Sequence, residues 1–163
     1  MNALSMRGYF VIAMSLLLTL ILSVIPLPAR LSIFQPQWAP LVIIFWVIAL
    51  PHRISVGTAW IIGLLLDGLY GSVLGEHALA LAVVAYCAEK FYRQIRMFDL
   101  IQQALCILLF ILIYQALILW IQGMLGELGN LRWFWISTLI SMLLWPWIYT
   151  AMRFFQKWAG IYY

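Results

Sequence analysis

Six apolar runs separated by short polar corners make up nearly the whole chain. They cover residues 8–25, 38–50, 54–70, 74–91, 100–124 and 131–152. Pro26 and Pro28 end the first run. Pro40 falls in the first turn of the second, where its missing N–H is tolerated, and Pro51 follows that run's end. A membrane-spanning helix needs roughly 20 apolar residues. The pattern predicts an all-α membrane protein: a bundle of six transmembrane helices forming a single domain over residues 1–163.

Composition sharpens this reading. Hydrophobic residues are 67% of the chain and charged ones 9%, against about 25% charged in an ordinary soluble domain. A water-soluble fold has too little here from which to make a polar skin. The net charge is +4, and its distribution gives direction. With six spans, one set of corners carries Arg7, Arg53, Lys90, Arg93, Arg96, Arg153 and Lys157, and the other carries Arg30 and Arg132. Basic residues favour the cytoplasmic side, so both termini are expected there. The positive charge reads as loops facing an anionic lipid leaflet rather than as a nucleic-acid footprint.

The second run is the shortest, 13 residues, or about 20 Å of helix against a hydrocarbon core of about 30 Å. A re-entrant element there would invert every later helix and place Lys90, Arg93 and Arg96 outside. A full span is therefore expected, lengthened by Ile33 and Phe34 or helped by local thinning of the bilayer. Trp38, Trp120, Trp133, Trp135 and Trp158 fall near predicted helix ends, where indole rings favour the headgroup level. The first run is too long for a signal-peptide core, and Leu27 is a poor residue three before a cut after Ala29, so an uncleaved helix is expected.

Inside the runs, Asp67 is the one carboxylate well within a span. An acid in the membrane is costly and marks a site for examination. Structural hydrogen bonding to the next loop is favoured over ion transfer. Gly63, Asp67, Gly71 and Gly75 recur every four residues, a spacing that shares a helix face and lets another backbone approach. Gly71 and Gly75 are assigned to the turn before the fourth helix. Two further small-residue stripes are Ser15, Thr19 and Ser23 on the first helix, and Ala78, Ala82, Ala85 and Glu89 on the fourth. Each stripe can meet its own bundle or another protein. Pro146, between Trp145 and Trp147, predicts a kink that shapes a packing surface or a groove for a partner. His52 reads as a turn residue, and Cys87 and Cys106 as small buried hydrophobes.

No nucleophile motif, metal spacing or phosphate loop is present in the sequence. An enzyme would have to assemble a site between helices from Asp67, Glu76, His77 or Tyr86. No cofactor is expected.

The run Pro51-His52-Arg53, Gly57-Thr58, Gly63, Asp67, Gly71-Ser72, Leu74-Gly75 and Ala78-Leu79-Ala80 resembles MreD, the bacterial rod shape-determining membrane family. The closing Leu144-Trp145-Pro146-Trp147-Ile148 is similar to the family's proteobacterial branch. The resemblance covers nearly the whole chain. It implies a non-enzymatic inner-membrane component of the cell-elongation and peptidoglycan synthesis machinery. Its partners would be MreC, the MreB filament, and RodA with its penicillin-binding transpeptidase. It also implies a fold similar to the substrate-binding subunits of energy-coupling-factor transporters. On that fold likeness, a small-molecule-binding transporter subunit is the alternative function, with Asp67, Glu76, His77 and Glu127 as its polar candidates.

Overall fold

The computed structural model describes residues 6–26, 28, 34–126 and 131–160, the side chains of 131–134 excepted. Its helices are α1 (Met6–Val24), α2 (Trp38–Ala49), α3 (Val56–Tyr70), α4 (Glu76–Met97), α5 (Leu100–Leu125) and α6 (Leu131–Trp158). Two expected ends need correction. α4 continues to Met97 rather than stopping at 91, and α6 to Trp158 rather than 152. The added turns carry Arg93, Gln94 and Arg96 on α4 and Arg153, Gln156 and Lys157 on α6, yet they are made of residues compatible with a helix. Arg96 and Lys157 in the last turns also suit the negative end of the helix dipole. Falling hydropathy marks a change of surroundings, not a change of backbone. Leu27, Ala29, Arg30, Ile33 and Glu127 lie outside the described residues, as do the side chains of Arg132 and Trp133.

Among the described residues, three helices are long and apolar enough to cross a membrane: α1, α5 and the Trp135–Trp158 part of α6. α2 has 12 residues and α3 has 15. The shortness of α2 has a structural reason. Every residue from Ala39 to Ala49 is buried, with α1, α4, α5 and α6 packed around the helix. A helix that is apolar on all sides belongs in a protein interior. Enclosed in this way, its length of about 18 Å need not match the lipid thickness. The expected extension through Phe34 does not occur, since Phe34 is exposed and lies outside α2.

Burying a short helix leaves its terminal backbone groups without water. Neighbouring side chains take that role. At the start of α2, the Gln37 N–H donates to Ser141 Oγ at 2.9 Å, and Ser137 Oγ donates to the Gln35 carbonyl at 2.6 Å. At its end, Arg96 donates through Nε and Nη2 to the carbonyls of Ile48 (2.9 Å) and Ala49 (2.8 Å). Midway, the Trp46 indole N–H donates to Ser15 Oγ at 2.8 Å. α3 packs mainly on α4, outside this inner group.

The outer surface is apolar. Phe10, Leu17 and Leu18 on α1, Ile61 and Leu65 on α3, Leu105 and Leu109 on α5, and Leu143 and Trp147 on α6 are all exposed. Such a continuous skin suits acyl chains. The ends of the bundle differ in charge. Arg53, which donates to Tyr9, lies with Arg96 and Arg153 at the end holding the C-terminus of α2. Asp67, Glu76 and His77 lie at the opposite end, with the C-termini of α1 and α5.

Replacing Ser15 with Ala removes the acceptor of a fully buried indole N–H. We expect a loss of about 1–3 kcal/mol, read as a lower thermal midpoint in detergent. An unchanged midpoint would mean that Ser15 does not hold Trp46.

Candidate functional site

The chemistry-bearing residues gather where α3 turns into α4. Gly71 ends α3 in the left-handed conformation (φ 66°), and its N–H and that of Ser72 donate to the Asp67 carbonyl. Gly75 (φ 103°) opens α4 in the same region of backbone space. Side chains rarely adopt such angles, so the two glycines permit a turn of five residues, 71–75.

That turn brings the N-terminus of α4 onto Asp67, which is fully buried. Asp67 Oδ1 accepts from the His77 N–H (2.9 Å) and from Ser72 Oγ (3.1 Å). Oδ2 accepts from the N–H groups of Gly75 (2.8 Å) and Ala78 (3.4 Å). His77 Nδ1 lies 2.8 Å from Oδ1. The carboxylate of one helix thus caps the next. Negative charge at a helix N-terminus is favoured both by the free N–H groups and by the dipole. A buried acid tolerates its site only when its lone pairs are occupied, and here both oxygens are.

The cluster reaches further through its neighbours. The His77 ring centroid lies 5.1 Å from that of Tyr70 and 6.2 Å from that of Tyr114. Tyr70 OH donates to the Ser23 carbonyl at 2.9 Å, tying α3 to α1. Glu76, also buried, accepts from Gln122 Nε2 at 2.7 Å, tying α4 to α5. An Asp, a His and a Ser side by side invite comparison with a catalytic triad. In a triad the hydroxyl and the carboxylate use opposite ring nitrogens. Here Ser72 Oγ and Asp67 Oδ1 both face Nδ1. The arrangement binds helices together.

The remaining stripes lie inside the chain. A Cβ on Gly63 would stand 2.2 Å from Ala78 Cα, a backbone atom. Gly63 therefore marks the crossing of α3 and α4, and it is not an open face for another protein. Ala78, Ala82 and Ala85 are buried. Thr19 and Ser23 are buried and Ser15 partly so, Ser15 serving as the acceptor for Trp46. At Pro146, α6 continues helically. Trp145 faces inward at 1% exposure and Trp147 outward at 77%, as two residues about 200° apart on a helix must. Cys87 and Cys106 are free thiols.

Ser137, Thr138 and Ser141 on α6 were not singled out by the sequence reading. Thr138 donates to Gln115 of α5, while Ser137 and Ser141 hold the approach to α2. Their signal was present, since Ser137 and Ser141 are four apart and share a face.

An all-helical bundle with an apolar skin, a buried cap and charge confined to its two ends is a membrane-embedded helical protein. The model of the family described as rod shape-determining protein MreD matches residues 5–155. A protein of that name from Haemophilus influenzae is 34% identical over 148 residues, covering 89% of this chain and 90% of its own length. The chain belongs to the MreD family, whose role is in determining rod shape. No solved structure matches it.

Asp67→Asn replaces one acceptor oxygen with a donor NH2 that faces further donors. We expect a loss of at least about 2 kcal/mol, measured as a lower thermal midpoint and faster proteolysis. Gly63→Leu should abolish a monodisperse peak in detergent chromatography. Wild-type behaviour of both variants would remove the α3–α4 cap from its central place.

Proposed function

We propose that the chain is a non-enzymatic scaffold of the cell-elongation machinery in the bacterial inner membrane. It binds MreC through lateral helix faces and helps link MreC to the MreB filament and to RodA with its penicillin-binding transpeptidase. On this reading all six helices belong to the membrane bundle, both termini are cytoplasmic, and the arginine-rich end faces the cell interior.

The observation that carries the proposal is where apolar surface is left available. The small-residue stripes are used within the chain, so a partner helix must meet larger side chains. An apolar groove of about 400 Å³ runs along the junction of α1 and α3, lined by residues including Leu17, Leu20, Ile21, Val24 and Leu69. Helix association in lipid depends on close packing, and a groove supplies complementary shape. The alternative, a small-molecule-binding subunit similar in fold to those of energy-coupling-factor transporters, needs polar groups with capacity for a ligand. Asp67, Glu76 and His77 already hold groups of this chain, which favours the scaffold.

Filling the groove tests the assignment. Leu17→Trp together with Leu69→Trp should lower recovery of co-purified MreC by about tenfold, equivalent to about 1.4 kcal/mol, and should round the cells. Leu105→Trp on the outer face of α5 serves as control. Normal recovery of MreC with the doubly substituted, folded protein would place the contact elsewhere.

A further inference from the structure

At the basic end of the bundle, α2, α4, α5 and α6 enclose a cavity of about 100 Å³, several times what one water needs. Two guanidinium groups line it, Arg96 from α4 and Arg153 from α6, with Gln103, Trp145 and Tyr149, and no carboxylate is among its lining residues. Both arginines are positioned by neighbouring groups of the chain. Arg96 is anchored on the last carbonyls of α2 and lies 5.2 Å from the Tyr92 ring centroid. Arg153 lies 5.6 Å from the Tyr149 ring centroid.

Two buried polar atoms of the lining have no hydrogen-bond partner. Trp145, 1% exposed, leaves its Nε1–H unsatisfied, and Gln103, 4% exposed, leaves Oε1 unsatisfied. The amide of Gln103 is oriented by its other end, since Nε2 donates to the carbonyls of Ile95 and Phe98, both at 3.1 Å. The indole N–H can only donate, and Oε1 can only accept. Leaving such groups unmet costs about 1–3 kcal/mol each. A group that satisfies both must carry acceptor oxygens and a donor. The two guanidinium groups in the lining suit a group that is also anionic.

We propose that this cavity binds the phosphate of an anionic phospholipid whose headgroup carries a hydroxyl, as phosphatidylglycerol does. The phosphate oxygens accept from Trp145 Nε1 and meet the two guanidinium charges. The headgroup hydroxyl donates to Gln103 Oε1. Nearby, exposed Phe154 and Trp158 on the last turns of α6 give acyl chains an apolar surface. Basic pockets between helices at a membrane boundary suit such headgroups. A soluble phosphate ester offers the same polar chemistry without the chains.

Thermal unfolding of the lipid-depleted protein in mild detergent separates these sources. Phosphatidylglycerol should raise the midpoint through mass action, while phosphatidylcholine, which lacks the hydroxyl and the net charge, should not. Trp145→Phe keeps the ring and removes the donor, and Arg153→Met keeps the stem and removes the charge. Each should weaken phosphatidylglycerol retention in native mass spectrometry by about tenfold, the effect of one lost charge-assisted bond. Equal stabilisation by phosphatidylcholine, or unchanged retention in a folded Arg153→Met variant, overturns the proposal. An equal shift from inorganic phosphate at matched concentration overturns the lipid assignment and gives the cavity to a soluble anion.

Discussion

A short apolar helix enclosed by other helices must have both its ends satisfied by protein, and the rest of this bundle is arranged to do that. α2 contributes the wholly buried centre, including Leu41, Ile44, Trp46 and Val47. Its entry is met by two serines of α6 and its exit by an arginine of α4. These contacts join elements far apart in sequence, with Gln37 and Ser141 separated by 104 positions. They also explain how non-helical backbone at 35–37 sits inside a membrane protein. Irregular chain is tolerated within such a protein when protein groups, rather than lipid, surround it.

The opposite end follows the same rule with different chemistry. There a carboxylate meets the free N–H groups of a helix start, and the close approach at Gly63 brings the two elements together. Both ends show polar side chains of one helix satisfying the terminal backbone groups of another. Side-chain to backbone bonds outnumber ion pairs among the described contacts for that reason, and the one Asp–His pair is itself part of a cap.

Much of this was readable from the chain before its fold. Helix number, most boundaries, the turn at Gly71 and Gly75 and the hydrogen-bonding role of Asp67 follow from prolines, glycines and one misplaced acid. What hydropathy could not give was the identity of the apolar neighbour. α2 and α1 look alike as sequence, yet one is enclosed by helices and the other presents Phe10 and Leu17 to the exterior. The same blindness hid the role of Arg96. On sequence it is one of three basic residues before α5, explained by sidedness alone, but in the fold it closes a helix forty-seven positions earlier. The serines of α6 stay hidden in the sequence because a hydroxyl in an apolar run changes hydropathy little, although Ser137 and Ser141 here bond the backbone leading into α2.

The turn of five residues between α3 and α4 has a consequence for biogenesis. Because Asp67 finds its donors five to eleven positions downstream, its partners emerge from the ribosome almost together with it. The pair can leave the translocation channel as a hairpin whose acid is already sheltered, so the carboxylate need never confront hydrocarbon alone. Moving those donors to a distant part of the polypeptide would keep the finished architecture on paper while stranding the acid during synthesis.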